Sequence, residues 1–279
     1  MEIKNNVIAR NYRLLEKIGS GSFGSIYKGQ HVRTNEYVAI KIEKKDKCSL
    51  LIHEATIYVY LKDCIYVPPI KWFGIYQQHY YIIMKMLGPS LQEVSRFLSL
   101  PMIFHIGVHL LGALKDIHQR GLIHRDLKPH NLLFRKDPIA IVNTNTNINT
   151  NININKDSFF LYVIDFGFAT GYSEKCETTK LHATIGSKNY ASINSHTQCE
   201  LSRRDDLESL FYILLYCQTG NLPWNHDENE EIIVRKKRTM HINNTLYSTT
   251  LIDGLQYVQH LGFYENPDYD FLTNLFTNR

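Results

Sequence analysis

His124-Arg125-Asp126-Leu127-Lys128-Pro129-His130-Asn131 is the stretch whose reading decides the fold, together with Asp165-Phe166-Gly167 further along the chain. The first stretch follows an apolar strand, Leu122-Ile123, and puts a carboxylate, an ammonium and an amide on one short loop. Asp165 follows a second apolar strand, Phe159 to Ile164, and two such strands lying side by side would bring these groups together. The set suits phosphoryl transfer. The migrating group crowds negative charge that a divalent metal must neutralise, and hard Mg²⁺ prefers oxygen ligands. A pair of solvated turn aspartates is the bland alternative, and it requires several spaced motifs to coincide by chance.

Gly19-Ser20-Gly21-Ser22-Phe23-Gly24 is weak evidence by itself, since GxGxxG also opens dinucleotide-binding folds. Context separates the two readings. A dinucleotide fingerprint runs into a helix, whereas here Ser25 to Val32 alternates like a strand and Glu36 to Ile42 reads as another. The glycines therefore tip a hairpin. Without side chains at three positions, backbone N–H groups can approach phosphate oxygens closely, as a lid over a nucleotide requires.

Lys41 in Val38-Ala39-Ile40-Lys41 needs a partner, and the helix that follows offers one. On a period of 3.6 residues Leu50, Glu54, Ile57, Tyr58 and Leu61 share a face, so a carboxylate sits within an apolar stripe. An unpaired charge there is costly, and a Lys41–Glu54 ion pair resolves it while aiming the ammonium at the α- and β-phosphates. The alternative places Glu54 at the rim of the face, merely solvated.

The chain of 279 residues fits one large domain or two intimate lobes. Its five cysteines, Cys48, Cys64, Cys176, Cys199 and Cys217, form no close pair, which argues against a zinc site and a disulfide framework. The histidines are scattered, and His53-Glu54-Ala55-Thr56-Ile57 lacks the second histidine of a zincin. No apolar run is expected to approach membrane-spanning length, because Tyr80 to Leu87 is broken by Lys85 and Phe211 to Tyr216 is short. Met1-Glu2-Ile3-Lys4-Asn5-Asn6 lacks the apolar core of a signal peptide. The expectation is a soluble, reduced monomer, cytoplasmic with the nucleus as a second compartment, that engages neither membrane nor nucleic acid.

Along the chain a small strand-rich region precedes a larger helical one. Strands at Ile70–Tyr76 and Tyr80–Lys85 end where Gly88-Pro89 breaks the pattern, so the boundary is placed at Leu87–Gly88, dividing 12–87 from 88–279. From Pro101, a good first-turn residue, Ile103, Ile106, Leu110, Leu114 and Ile117 mark one helical face, and Gly121 is a stop. Leu207 to Tyr216 is apolar nearly all round, as a mid-lobe helix must be, with Asp205 and Asp206 placed to cap it. The insertion at 137–157 is foreign to this plan, since Asn143 to Asn155 holds little but Asn, Thr and Ile. Such a segment buries too little surface to offset its ordering entropy and is expected to be a disordered loop at a hairpin tip; an interaction or aggregation segment is the other reading.

Taken together, these stretches resemble the casein kinase I group of serine/threonine protein kinases from about Tyr12 to Phe276. Beyond motifs common to all kinases, the chain carries Leu87-Gly88-Pro89-Ser90-Leu91, Tyr190-Ala191-Ser192-Ile193-Asn194 in place of Ala-Pro-Glu, and Ser202-Arg203-Arg204-Asp205-Asp206-Leu207-Glu208-Ser209-Leu210. Leu222-Pro223-Trp224 and Pro267-Asp268-Tyr269 continue the likeness. The resemblance implies an α+β, bilobal protein-kinase fold over 1–279, with an antiparallel-sheet N-lobe plus one helix and a mainly helical C-lobe. It implies ATP and Mg²⁺, and protein substrates phosphorylated on Ser or Thr. By the kinase signatures, Asp126 is the base, aided by Lys128, Lys41 and Glu54, and Asn131 and Asp165 hold Mg²⁺. ATP would meet Ile18, Gly19, Ser20, Gly21, Ser22, Phe23, Gly24, Ile26, Ala39, Lys41, the gatekeeper Met84 and Leu87, with adenine at the hinge. Lys128, two residues after the aspartate, matches the serine/threonine pattern. The family likeness also implies activity without activation-loop phosphorylation, although Thr178, Thr179, Thr184 and Ser187 lie in that segment.

Several departures bear on substrate choice. Where the group has Thr-Ala-Arg-Tyr, this chain has Ser187-Lys188-Asn189-Tyr190, so the cation that reads a substrate phosphate moves to Lys188 and loses the bidentate fork of arginine. The stretch from Trp224 to Pro267 is shorter than in the group, yet keeps Arg235-Lys236-Lys237-Arg238. That run reads as a solvated helix face, as a contact for acidic substrate led by Arg235, or as a nuclear-targeting or nucleic-acid signal. An active kinase with preference for acidic or primed sites is the favoured function; a pseudokinase serving as a scaffold is the rival, disfavoured because Lys41, Glu54, Asp126, Asn131 and Asp165 are all present.

Overall fold

The computed structural model describes residues 7–21, 24–45, 49–136, 159–172, 181, 183–240 and 246–277. The Asn-rich insertion at 137–157 lies outside these, as do Ser22, Phe23, Cys48, Cys176, Thr178 and Thr179. The chain divides into two compact units, one of Met1–Gly88 with Ile164–Gly167 and one of Pro89–Val163 with Phe168–Arg279.

The first unit is a six-stranded antiparallel sheet in the order β1-β2-β3-β4-β6-β5. The strands are β1 (Val7–Ile8), β2 (Tyr12–Gly21), β3 (Gly24–His31), β4 (Tyr37–Lys44), β5 (Ile70–Tyr76) and β6 (His79–Lys85). Period-two alternation in β4 decides which face holds the core. Val38, Ile40 and Ile42 are buried, and they pack with Ile8, Leu14, Tyr81 and Ile83. Ala39, Lys41 and Glu43 consequently share the opposite face. Glu43 uses that position to accept the Leu51 N–H at 2.9 Å, meeting an orphan donor at the start of α1 (Leu50–Tyr60). Helix α1 turns Leu51, Glu54, Ala55, Ile57 and Tyr58 inward, so the apolar face begins at Leu51 and not at Leu50 as its spacing had suggested. The β5–β6 connection is a two-residue turn in which both Gln77 (φ 44°) and Gln78 (φ 62°) are left-handed, as a tight hairpin of this twist demands.

The second unit is mainly helical: α2 (Leu91–Val94), α3 (Leu100–Gln119), α4 (Ile193–His196), α5 (Arg203–Thr219), α6 (Glu230–Arg238), α7 (Thr249–His260) and α8 (Tyr269–Thr277). Pro101 occupies the first turn of α3 and Gly121 follows its end at φ 75°. In length and hydropathy α3 does reach what a membrane span requires, contrary to the expectation that no run would. It is a core helix instead, since Met102, Ile103, Ile106, Leu110, Leu114 and Ile117 are buried inside the unit. Helix α5 is buried almost throughout and ends at Gly220 in the left-handed conformation that closes many helices. At its start Asp205 accepts the Ser202 N–H at 2.7 Å and so caps the helix, whereas Asp206, also expected to cap, points elsewhere. The architecture is thus the α+β class expected, an antiparallel-sheet N-terminal region followed by a helical C-terminal region.

Two short antiparallel pairs frame the polar loop, and they correct the expected pairing. The strand β7 (Leu122–Ile123) does not lie beside β9 (Leu161–Val163); β7 pairs with β10 (Thr170–Gly171), and β9 pairs with β8 (Leu132–Phe134). After β7 the chain runs through the loop and a single 3₁₀ turn, Pro129–Asn131, directly into β8, so β8 reaches β9 first.

Candidate active site

In the sheet-rich unit, strands β2 and β3 form the glycine-tipped hairpin, with Gly21 opposite Gly24. Gly24 is demanded by the fold itself, because a Cβ there would lie 2.3 Å from the Ile42 carbonyl oxygen. Gly19 is not: among the described residues a Cβ there would meet only Ile26, at 3.7 Å, an ordinary contact distance. Ile18 is largely exposed and Ile26 half-buried, the latter in register with Lys41. Ala39 sits opposite Met84 on β6, and Leu87 is half-buried just beyond that strand.

The Lys41 ammonium lies 2.6 Å from Glu54 and 2.8 Å from Asp165, so the expected ion pair is present and gains a second carboxylate. Burial works against the charge on Lys41, but Glu54 and Asp165 more than compensate and hold it above the ordinary lysine value. Burial lifts the Glu54 carboxyl to about 7, with Lys41 opposing. Tyr58, one turn after Glu54 on α1, accepts the backbone N–H of Asp165 at 3.1 Å, and its ring meets Phe166 edge-on at 5.3 Å. Asp165 stands at φ 66°, a conformation that a non-glycine residue keeps only when its surroundings hold it. The Tyr58 and Lys41 contacts help to hold it.

In the helical unit, Asp126 is 96 % buried on the loop after β7, and its carboxylate is filled by donors. Lys128 donates to Oδ2 at 2.7 Å, and Ser187 donates to Oδ1 twice, through N–H at 2.8 Å and hydroxyl at 2.9 Å. Asn131 gives its amide N–H to the Asp126 carbonyl at 2.9 Å, leaving the amide oxygen as its acceptor. The loop backbone hangs from Asp206 of α5, which takes the N–H groups of His124 at 2.7 Å and Arg125 at 2.8 Å, and His118 at 3.0 Å. Burial alone would raise the Asp206 carboxyl; these donors bring it below the usual carboxylate range. With both N–H groups tied down, Arg125 is kept at φ 67°. Gly186 (φ 91°) brings the segment that carries Ser187 against this loop, so close that a Cβ would lie 2.6 Å from the Arg125 carbonyl oxygen.

The cations expected to read acidic substrates are distributed unevenly. Lys188 is half-buried and its ammonium donates to the Glu228 carbonyl at 2.6 Å. Arg235 and Arg238 are exposed on α6, but Lys236 pairs with Asp227 at 2.8 Å and Lys237 is wholly buried. Arg235 to Arg238 therefore does not form the continuous solvated basic face that the run suggested, because a helix turns its fourth residue inward with Ile233.

Sequence reasoning did not anticipate Tyr58, Asp206 or Lys237 in these positions, nor Ser187 on Asp126. Tyr58 was placed on the inner face of α1 without a polar role, and the Ser187 contact joins residues 61 positions apart with no periodic signal between them. The protein kinase domain family model matches residues 12–276 of this chain.

Proposed function

We propose that this chain, which belongs to the protein kinase family, is an ATP-dependent serine/threonine kinase of casein kinase I type that favours acidic or primed protein sites. The observation that carries this reading is the Asp126 carboxylate, held between Lys128 and Ser187. A carboxylate so fixed is suited to orient an acceptor hydroxyl and take its proton, and a lysine beside it suits the charge that develops on the transferring group.

The residues fit a nucleotide and its metal. Among the described residues a Cβ at Gly19 would meet Ile26 alone, at ordinary contact distance, and Asp165 and Asn131 each carry the hard oxygen donors Mg²⁺ prefers. When bound, Mg²⁺ would supply neutralisation of phosphate charge as the γ-phosphoryl group moves. The remaining roles belong to the chain. Lys41, oriented by Glu54, pairs with the α- and β-phosphates. Gly19 to Gly24 cover them, and Ala39, Met84 and Leu87 line the adenine. Asp126 accepts the hydroxyl proton, and Lys188 with Arg235 attracts acidic side chains or phosphate near the acceptor. The intact set of Lys41, Glu54, Asp126, Asn131 and Asp165 speaks against a scaffold-only pseudokinase.

A peptide library presenting Ser, Thr or Tyr acceptors, with and without acidic or phosphorylated residues before them, tests this. Transfer to Ser and Thr alone, strongest at acidic sites, is expected; transfer to Tyr, or indifference to flanking charge, would count against the type assignment.

A further inference from the structure

Lys237 has a place that the reaction outlined above does not explain. It is fully buried on α6, one turn after the buried Ile233. An ammonium out of water is costly unless its three donors are met. All three are. Nζ donates to the Ala191 carbonyl at 2.5 Å and the Lys188 carbonyl at 3.2 Å, and it faces His196 Nε2 at 3.1 Å, which accepts in the tautomer protonated at Nδ1. The rings of Tyr212 and Trp224 lie 4.7 and 5.2 Å from it and present π faces to the charge. Burial pulls this ammonium below the ordinary lysine value, with Glu208 of α5 and Glu230 of α6 pulling it back. Burial and the neighbouring Lys237 together push His196 down to about 4, which keeps the ring neutral and able to accept.

Two of those three partners are backbone carbonyls of one short segment. Trp224, whose ring lies against the ammonium, donates its indole N–H to a third, that of Asn189, at 2.8 Å. The carbonyls of Lys188, Asn189 and Ala191 are therefore fixed by a single cation–indole unit. The same segment starts at Ser187, which holds Asp126. Filling this space for stability alone would not need a charge, since apolar residues of similar volume do as well or better in buried sites. A cation with three donors is needed where several carbonyls must be held in one arrangement.

We propose that Lys237 is a positioning residue for the protein substrate: its ammonium fixes the Ser187–Ala191 segment in the shape that receives the acceptor polypeptide, acting through the segment and not by contact. This rests on the reading of that segment as the acceptor-binding surface. None of the contacts of Lys237 involves a residue proposed for the nucleotide, so the two substrates separate the effect.

The test is Lys237→Met in the full chain, with an acidic serine peptide as the probe. Peptide binding is read by fluorescence anisotropy, and KM for peptide and for ATP by steady-state kinetics. Removing the cation should raise the peptide Kd and KM about tenfold while KM for ATP stays within about twofold, because only the peptide-binding surface has lost its support. Lys237→Gln, which keeps two amide donors and no charge, should fall between wild type and Met, and it decides the matter where Met does not fold. Folded variants that bind peptide like wild type, or that lose ATP and peptide equally, would overturn the proposal. Where wild type binds and phosphorylates the peptide and neither substitution changes this, the role of Lys237 falls and the reading of the segment stands. Wild type that binds and phosphorylates no peptide at all would bring down the reading of the segment, and the role of Lys237 with it.

Discussion

Ser187 grips one oxygen of Asp126 with both its backbone N–H and its hydroxyl, at 2.8 and 2.9 Å, while Lys128 holds the other oxygen at 2.7 Å. The double contact orients the carboxylate about its own bond, and it does so from a segment far away in sequence. Ser187→Ala keeps the N–H and deletes the hydroxyl. Turnover should fall about three- to tenfold with KM for ATP unchanged, the loss of one positioning hydrogen bond in a preorganised site. Unaltered turnover in a folded variant would show that the hydroxyl contact does not matter to the reaction.

Glu54 sets a pH limb. Its carboxyl is lifted by burial to about 7, above its unfolded value, so the folded protein keeps this proton more tightly than the unfolded chain. The charged form, which pairs with Lys41 at 2.6 Å, is present above that value and lost as the pH falls through it. Apparent activity at low ATP should therefore rise with pH around a midpoint near 7, while the stability that the tightly held proton contributes is full below the unfolded carboxyl value and is lost as the pH rises through about 7. Glu54→Gln should be weakly active and lack this limb. A mutant that retains the same limb would assign it to another group.

The Gln77-Gln78 turn stores strain that can be removed. Both residues are left-handed, and only glycine takes that conformation without penalty. Gln78→Gly should raise the unfolding free energy by roughly 0.5–1 kcal/mol, the αL relief less the added entropy of the unfolded chain. Thermal unfolding measures it, and a lower Tm would mean the Gln78 side chain supports the hairpin.

Much of this could be read from residue order where the physics is local. Val38, Ile40 and Ile42 alternate, so β4 and the side on which Lys41 lies were legible, and the glycine-tipped hairpin followed from strands on both flanks. Glu54 in an apolar stripe points to Lys41 from residue order alone. The misses are of another kind. Two-residue strands carry no period, so nothing in Leu122-Ile123 revealed Thr170-Gly171 as its partner. Asp205 and Asp206 are chemically alike and adjacent, yet one caps α5 and the other suspends the loop at His124 and Arg125, a difference set by which way the helix turns each. Arg235 to Arg238 was read as a block, although the four-residue step from Ile233 to Lys237 already marked one member as inward.

Lys188 tests the choice of substrate. Its ammonium donates to the Glu228 carbonyl, a neutral acceptor that leaves its charge available to an acidic ligand. Lys188→Ala should raise KM for an acidic peptide about three- to tenfold with little change in kcat, since ground and transition states lose the same contact, and the effect should shrink as salt is added. Equal kcat/KM for acidic and neutral peptides in wild type at low ionic strength would mean that Ser187-Lys188-Asn189 no longer reads acid.

The most direct measurement is transfer of label from γ-labelled ATP to dephosphorylated casein in the presence of Mg²⁺, by wild type and by Asp126→Asn and Asp165→Ala. Wild type should label serine and threonine of casein, and each variant, folded by circular dichroism, should retain less than about a hundredth of that rate, because base and metal ligation each carry several orders of magnitude. Folded variants that keep more than about a tenth of the wild-type rate would contradict the roles given to Asp126 and Asp165, and wild type that transfers no label to any protein would contradict the proposal that this chain is an active kinase.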